Sequence, residues 1–202
     1  MAVPGRKPPV KTKDLVYIAL FAAIVVALGL FPAIEVPFSK VPITAQSLGV
    51  MLAGSILGWR RGGLALLVFV LLVAVGLPVL PGGRGGMGIF FLPSGGFVLS
   101  WPLAAVVVGY LTERLWGRYN LAVALVPNLV GGVLVVYAIG LPFMAAVANI
   151  SLGQAFTIMW AFVPGDVAKC VLAALAAVAV RRTHPLLAPV ATASGPSRSG
   201  TR

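Results

Sequence analysis

Residues 154–180 read QAFTIMWAFVPGDVAKCVLAALAAVAV, an apolar run whose only charges are Asp166 and Lys169. A helix needs about 20 such residues to cross a bilayer core, so the run is long enough to span a membrane. A charged side chain there costs at least ~2.5 kcal/mol and is usually kept for a partner or a ligand. At a spacing of i and i+3 the two side chains share one helix face and can act together. Pro164-Gly165-Asp166 reads as a helix start or a break within one, with Asp166 near the positive end of the helix dipole. One reading is a structural ion pair, which is costly to desolvate and weak evidence for stability. A ligand pocket that uses both groups accounts for their retention better.

The rest of the chain has the same character. Its 202 residues are 60% hydrophobic and 9% charged, against roughly 25% charged in a soluble domain. The apolar runs are long and do not alternate in polarity as the strands of a transmembrane barrel would. Six segments emerge, at 15–34, 44–58, 63–80, 96–113, 120–147 and 154–180, and they predict an all-α, six-transmembrane-helix bundle. The second is short for a simple span, which suggests tilt, a partly re-entrant path or close packing on its neighbours. The fifth holds Pro127, Gly131, Gly132, Gly140 and Pro142, which predicts a kinked or locally unwound helix.

The formal charge is +11, yet the cations lie in small groups between apolar runs, as topogenic loop charges do. No basic stripe is interleaved with exposed aromatics, so a nucleic-acid partner is not expected. Arg6, Lys7, Lys11 and Lys13 precede the first span; Arg60 and Arg61, Arg114 and Arg118, and Arg181 and Arg182 fall on the same side. Lys40 and Arg84 are the loop cations of the other side. The positive-inside rule then places both termini in the cytoplasm. The expected organisation is a cytoplasmic segment at 1–13, a transmembrane domain at 14–182 and a disordered cytoplasmic tail at 183–202. Pro32, Glu35 and Pro37 follow the first run without a clear cleavage site, so it is read as an uncleaved span. The lone Cys170 reads as a small buried hydrophobe and His184 as solvated, so no metal site is expected.

Two outer loops carry polar groups. In Pro42-Ile-Thr-Ala-Gln46, Thr44 and Gln46 stand at the mouth of the second span, either as helix-capping and interfacial groups or as ligand contacts. In the loop from Gly76 to Gly96, glycines surround Arg84, whose guanidinium suits a bidentate grip on a carboxylate. Gly83, Gly85 and Gly88 satisfy a dinucleotide-binding pattern literally, but a membrane span precedes them and no acidic residue follows before Glu113. That reading is rejected, and no phosphate-binding loop with Gly-Lys-Ser/Thr is present, so the chain is not itself an ATPase. A carboxylate, an ammonium, a guanidinium, a hydroxyl and an amide suit a small polar solute bearing a carboxylate. No nucleophile–base pair is evident, so an enzyme is not expected. Ala19, Ala23 and Ala27, at intervals of four, would let another helix approach closely, within this chain or from a partner.

Several separated motifs in one order resemble the BioY family, the biotin-specific substrate-binding S-components of energy-coupling factor (ECF) transporters. They are Pro42–Gly54, Arg60–Gly62, Gly76–Val79, Gly82–Gly88, Pro93–Gly96 and Gly165–Lys169, and the likeness runs from about Lys13 to Arg182. Ala45, Ser47 and Ser94 depart slightly from the family pattern. The resemblance implies a six-helix S-component fold in a prokaryotic cell membrane, with a biotin pocket near the extracellular side. It implies coupling through a transmembrane subunit to two cytoplasmic ATPase subunits, using Ala19 and Ala23. No cofactor is implied, biotin being the transported ligand. Biotin's carboxylate would pair with Arg84; Asp166 would accept from a ureido N–H, and Lys169 would donate to the ureido carbonyl. Thr44 and Gln46 are further contacts, and Phe38, Phe90, Phe91 or Trp160 are candidate apolar walls. The alternatives are an S-component for another vitamin, a membrane enzyme acting on a lipid, and a purely structural membrane partner.

Overall fold

The computed structural model describes residues 12–36, 39, 41–183 and 187. Helix α1 (Thr12–Leu28) buries Ile18, Phe21, Ala22 and Val25 at helical spacing, while Ala19, Ala23 and Ala27 all lie exposed on its other side. The connection to α2 closes on itself, Ile34 and Ile43 exchanging backbone hydrogen bonds of 2.9 Å.

Helix α2 (Gln46–Ala74) absorbs both the second and third apolar segments. It is not straight. Gly58 has φ 80° and ψ −178°, a left-handed backbone that glycine alone adopts without strain. A Cβ on Gly62 would lie 2.7 Å from the Ala53 carbonyl oxygen, whereas a straight helix would separate these positions by about 13.5 Å. At the far end Gln46 is hydrogen-bonded to Val79, just beyond the helix. The two limbs therefore fold back on one another. The short interhelical loop expected at 59–62 is instead a one-residue reversal, and Arg60 and Arg61 are already helical. The Glu113 carboxylate accepts from the Trp59 N–H at 3.1 Å, supplying a partner that the broken helix lacks. Arg61 pairs with Asp14 at 2.8 Å and ties the bend to the start of α1.

After a loop containing a short 3₁₀ turn (Met87–Phe91) comes α3 (Gly95–Arg114), which packs on both limbs of α2. Helix α4 (Leu121–Leu129) is capped by Asn120, whose side chain accepts from the Val123 N–H. It runs through a wide π segment (Val130–Val135) into α5 (Val136–Ala148). A Cβ on Gly131 would meet Val108 at 2.5 Å, and one on Gly132 would meet Met51 at 2.6 Å. Lipid tails are as apolar as the helices, so such close approach of backbones replaces the hydrophobic drive of a soluble core. The unwinding expected of the fifth segment is this π segment.

The sixth apolar run is two helices. Ser151 and Gln154 form a reciprocal capping box that starts α6 (Leu152–Met159), and α7 (Val163–Thr183) begins after a turn at 160–162. Pro164 sits in the first turn of α7, where its missing N–H costs nothing. Among the described residues four helices are long and apolar enough to cross a membrane: Gln46–Ala74, Gly95–Arg114, Leu121–Ala148 and Val163–Thr183. With α1, and with α2 counted as two limbs, the described residues form six long helical rods besides the short α6. It is an all-helical, multi-pass membrane fold. His184 and nearly all of the expected tail lie outside the described residues, as does the expected cytoplasmic segment at 1–13 apart from Thr12 and Lys13.

Candidate functional site

At the end of the bundle where α1 finishes and α3 and α7 begin, a cavity and its open mouth enclose about 830 Å³ of empty space. Thr44, Gln46, Arg84, Asp166 and Lys169 all line it. These are the five polar residues singled out in the sequence, drawn from three separate segments, and the fold brings them to one place.

Asp166 lies in the first turn of α7, 9% exposed. Its backbone N–H donates to the Phe162 carbonyl at 3.0 Å, and the helix dipole favours its negative charge. Lys169 Nζ donates to Asp166 Oδ1 at 3.1 Å and to Ser47 Oγ at 2.9 Å. Tyr137, on α5, donates its hydroxyl to Asp166 Oδ2. The pair is thus held by α2 on one side and α5 on the other, and one carboxylate receives two donors from different helices. Tyr137 was not picked out in the sequence. Its partner is 29 positions away, and an isolated tyrosine in an apolar run gives no local signal.

Arg84 reaches the cavity from the loop that follows α2. Leu80 N–H donates to Arg84 O at 3.0 Å and Arg84 N–H to Leu80 O at 3.2 Å, closing a tight turn. Gly82 and Gly83 take positive φ in it, which is why the turn is glycine-rich. Arg84 Nε donates to Pro81 O at 3.1 Å, leaving the terminal nitrogens of the guanidinium free of any carboxylate among the described residues. Thr44 lines the mouth half-buried and does not cap α2: the N-cap position is Ala45, and no side chain caps that end. Gln46 is fully buried.

The apolar walls differ from those expected. Phe97, Trp101, Leu141, Met144 and Phe162 line the cavity. Phe90 packs into the core beside α2, while Phe91 and Trp160 point outward, 73% and 61% exposed. Phe38 lies outside the described residues. The cavity lining thus offers an acid, an amine, a guanidinium and hydroxyls together with aromatic and aliphatic surface. No group of three or more metal-ligating side chains occurs among the described residues.

The family model described as the BioY family matches residues 4–186. The chain belongs to the BioY family. Among its relatives, a biotin transporter BioY of Rhizobium etli is 52% identical over 181 residues, 87% of this chain and 97% of that one. A biotin transporter BioY of Rhodobacter capsulatus is 46% identical over 183 residues, 86% of this chain and 95% of the relative. A crystal structure of the S-component for biotin from an ECF-type ABC transporter superposes with a TM-score of 0.83 at 32% identity. It is matched over 90% of this chain and 97% of its own. The BioY fold of the chain is therefore that of an ECF S-component, and the residues lining the cavity lie within the 4–186 matched by the family model.

Proposed function

We propose that the protein is the membrane subunit that captures biotin for uptake, energised by a separate ATP-hydrolysing ECF module. The observation that carries this reading is the convergence of Arg84, Asp166, Lys169, Thr44 and Gln46 on one cavity in a chain of the BioY family. Biotin has a carboxylate at the end of an alkyl chain and a ureido ring at the other. Arg84 suits the carboxylate through its free terminal N–H groups. Asp166 accepts from a ureido N–H and Lys169 donates to the ureido carbonyl, while the aromatic floor takes the fused rings and chain.

The cavity is at the opposite end of the bundle from Arg60, Arg61, Arg114, Arg118, Arg181 and Arg182. By the positive-inside rule that basic end is cytoplasmic, so both termini face the cytoplasm and the pocket opens outward across the cell membrane. The exposed Ala19 and Ala23 on α1 give a close-approach face for the transmembrane coupling subunit of a module with two cytoplasmic ATPases. The role is that of a binding and transport subunit, without catalysis. Uptake of radiolabelled biotin, in cells lacking their own biotin transport and supplied with the module, tests the reading. Uptake at limiting biotin should appear with the wild-type chain and fall sharply with Asp166→Asn; equal uptake in cells without the chain would refute it.

A further inference from the structure

Gln46 carries a buried atom with no partner. The residue is 0% exposed and lines the cavity. Its Nε2 donates to Val25 O on α1 at 3.0 Å and to Val79 O at 2.9 Å, so both amide hydrogens are used. Oε1 is buried and meets no donor among the described residues. The opposite rotamer would turn Oε1 onto two carbonyl oxygens, acceptor against acceptor, so the orientation of the amide is determined by its neighbours. With Nε2 facing α1 and the loop, the carbonyl is left on the side of the amide away from them. A buried acceptor without a donor is destabilising, all the more where no bulk water reaches.

We infer that Gln46 Oε1 receives an N–H of the ligand and is a specificity-determining contact for a cyclic urea. A ureido ring presents two N–H groups flanking one carbonyl. Lys169 takes the carbonyl, Asp166 one N–H, and the orphaned Gln46 carbonyl the other. Since Gln46 has no donor left, the site rejects a ligand that presents an acceptor there. The inference deepens the biotin reading and rests on it.

The test is calorimetric titration of the full-length protein in lipid nanodiscs with biotin and two isosteric analogues. In each analogue one ureido N–H is replaced by a ring oxygen. Both should bind the wild type at least about 10-fold more weakly than biotin, one for want of a donor to Asp166 and the other for want of a donor to Gln46. In Gln46→Met the second analogue and biotin should bind alike, while the first keeps its penalty. A wild type that binds either analogue as tightly as biotin overturns the inference, and needs no variant to fold. So does a Gln46→Met protein that keeps full discrimination against both. A wild type that binds no biotin at all defeats the biotin reading itself, which is a different result.

Discussion

Replacing Lys169 by methionine separates a binding role for the Asp166–Lys169 pair from a purely structural one. The two side chains are 12% and 13% exposed, so removing the ammonium leaves a nearly buried carboxylate. Breaking a buried pair from one side costs about 3–5 kcal/mol. The Tyr137 hydroxyl still donates to Asp166, which argues for the lower end, about 3 kcal/mol. For a chain of this size that lowers Tm by roughly 6–12 °C. The double variant Asp166→Asn/Lys169→Met removes both charges, and its stability should return to within about 1 kcal/mol of the wild type, since losing a whole buried pair is often neutral. Affinity should behave differently. Each lost charge-assisted hydrogen bond to biotin is worth about 1.5–3 kcal/mol, or roughly 10- to 150-fold, and the double variant should bind no better than either single one. Thermal unfolding followed by tryptophan fluorescence, together with calorimetric titration, reads both quantities. A double variant that is stable and keeps wild-type affinity would refute the binding role. A Lys169→Met protein as stable as the wild type would refute the electrostatic argument.

Arg84→Ala should weaken biotin about 10- to 150-fold but leave biotin methyl ester nearly unaffected, since the lost contact is with the carboxylate; titration with both ligands checks this. Gly58→Ala should lower Tm markedly, by the equivalent of about 1–3 kcal/mol from backbone strain alone. Its Cβ would also lie 2.1 Å from Glu113 Oε1. Because the bend is at the end of the bundle away from the cavity, biotin affinity of the folded fraction should persist. Ala23→Trp should abolish co-purification with the energising module while leaving biotin titration unchanged, because Ala23 lies exposed on α1, away from the cavity.

Most of the fold was legible because membrane helices announce themselves by hydropathy: five of the six apolar segments became one rod each, and the sixth became α7 with the short α6 before it. The sharpness of the reversal was not legible: Gly58 is one of 24 glycines, and only the approach of Gly62 to Ala53 shows what it does. The break between α6 and α7 was hidden because the turn at 160–162 is as apolar as the helices around it. At the site, charged and polar residues inside or beside apolar runs are costly, so the Asp166–Lys169 pair, Arg84, and Thr44 with Gln46 stood out and read together as one set of groups for a polar solute. Their common cavity was not deducible from cost alone. The walls were misassigned because the rotation of each helix about its axis decides whether a phenylalanine faces the cavity, the core or the lipid. In chains this uniformly apolar, sequence periodicity does not report that rotation. Phe97 and Phe162 face inward; Phe91 does not.

The central claim is that the cavity beneath Arg84 and beside Asp166 and Lys169 takes biotin. Titration of the purified protein, without its energising partners, against biotin, thiamine and riboflavin tests it most directly. Saturable one-site binding of biotin alone is the predicted result. Absence of biotin binding, with tight binding of thiamine or riboflavin in its place, would contradict it.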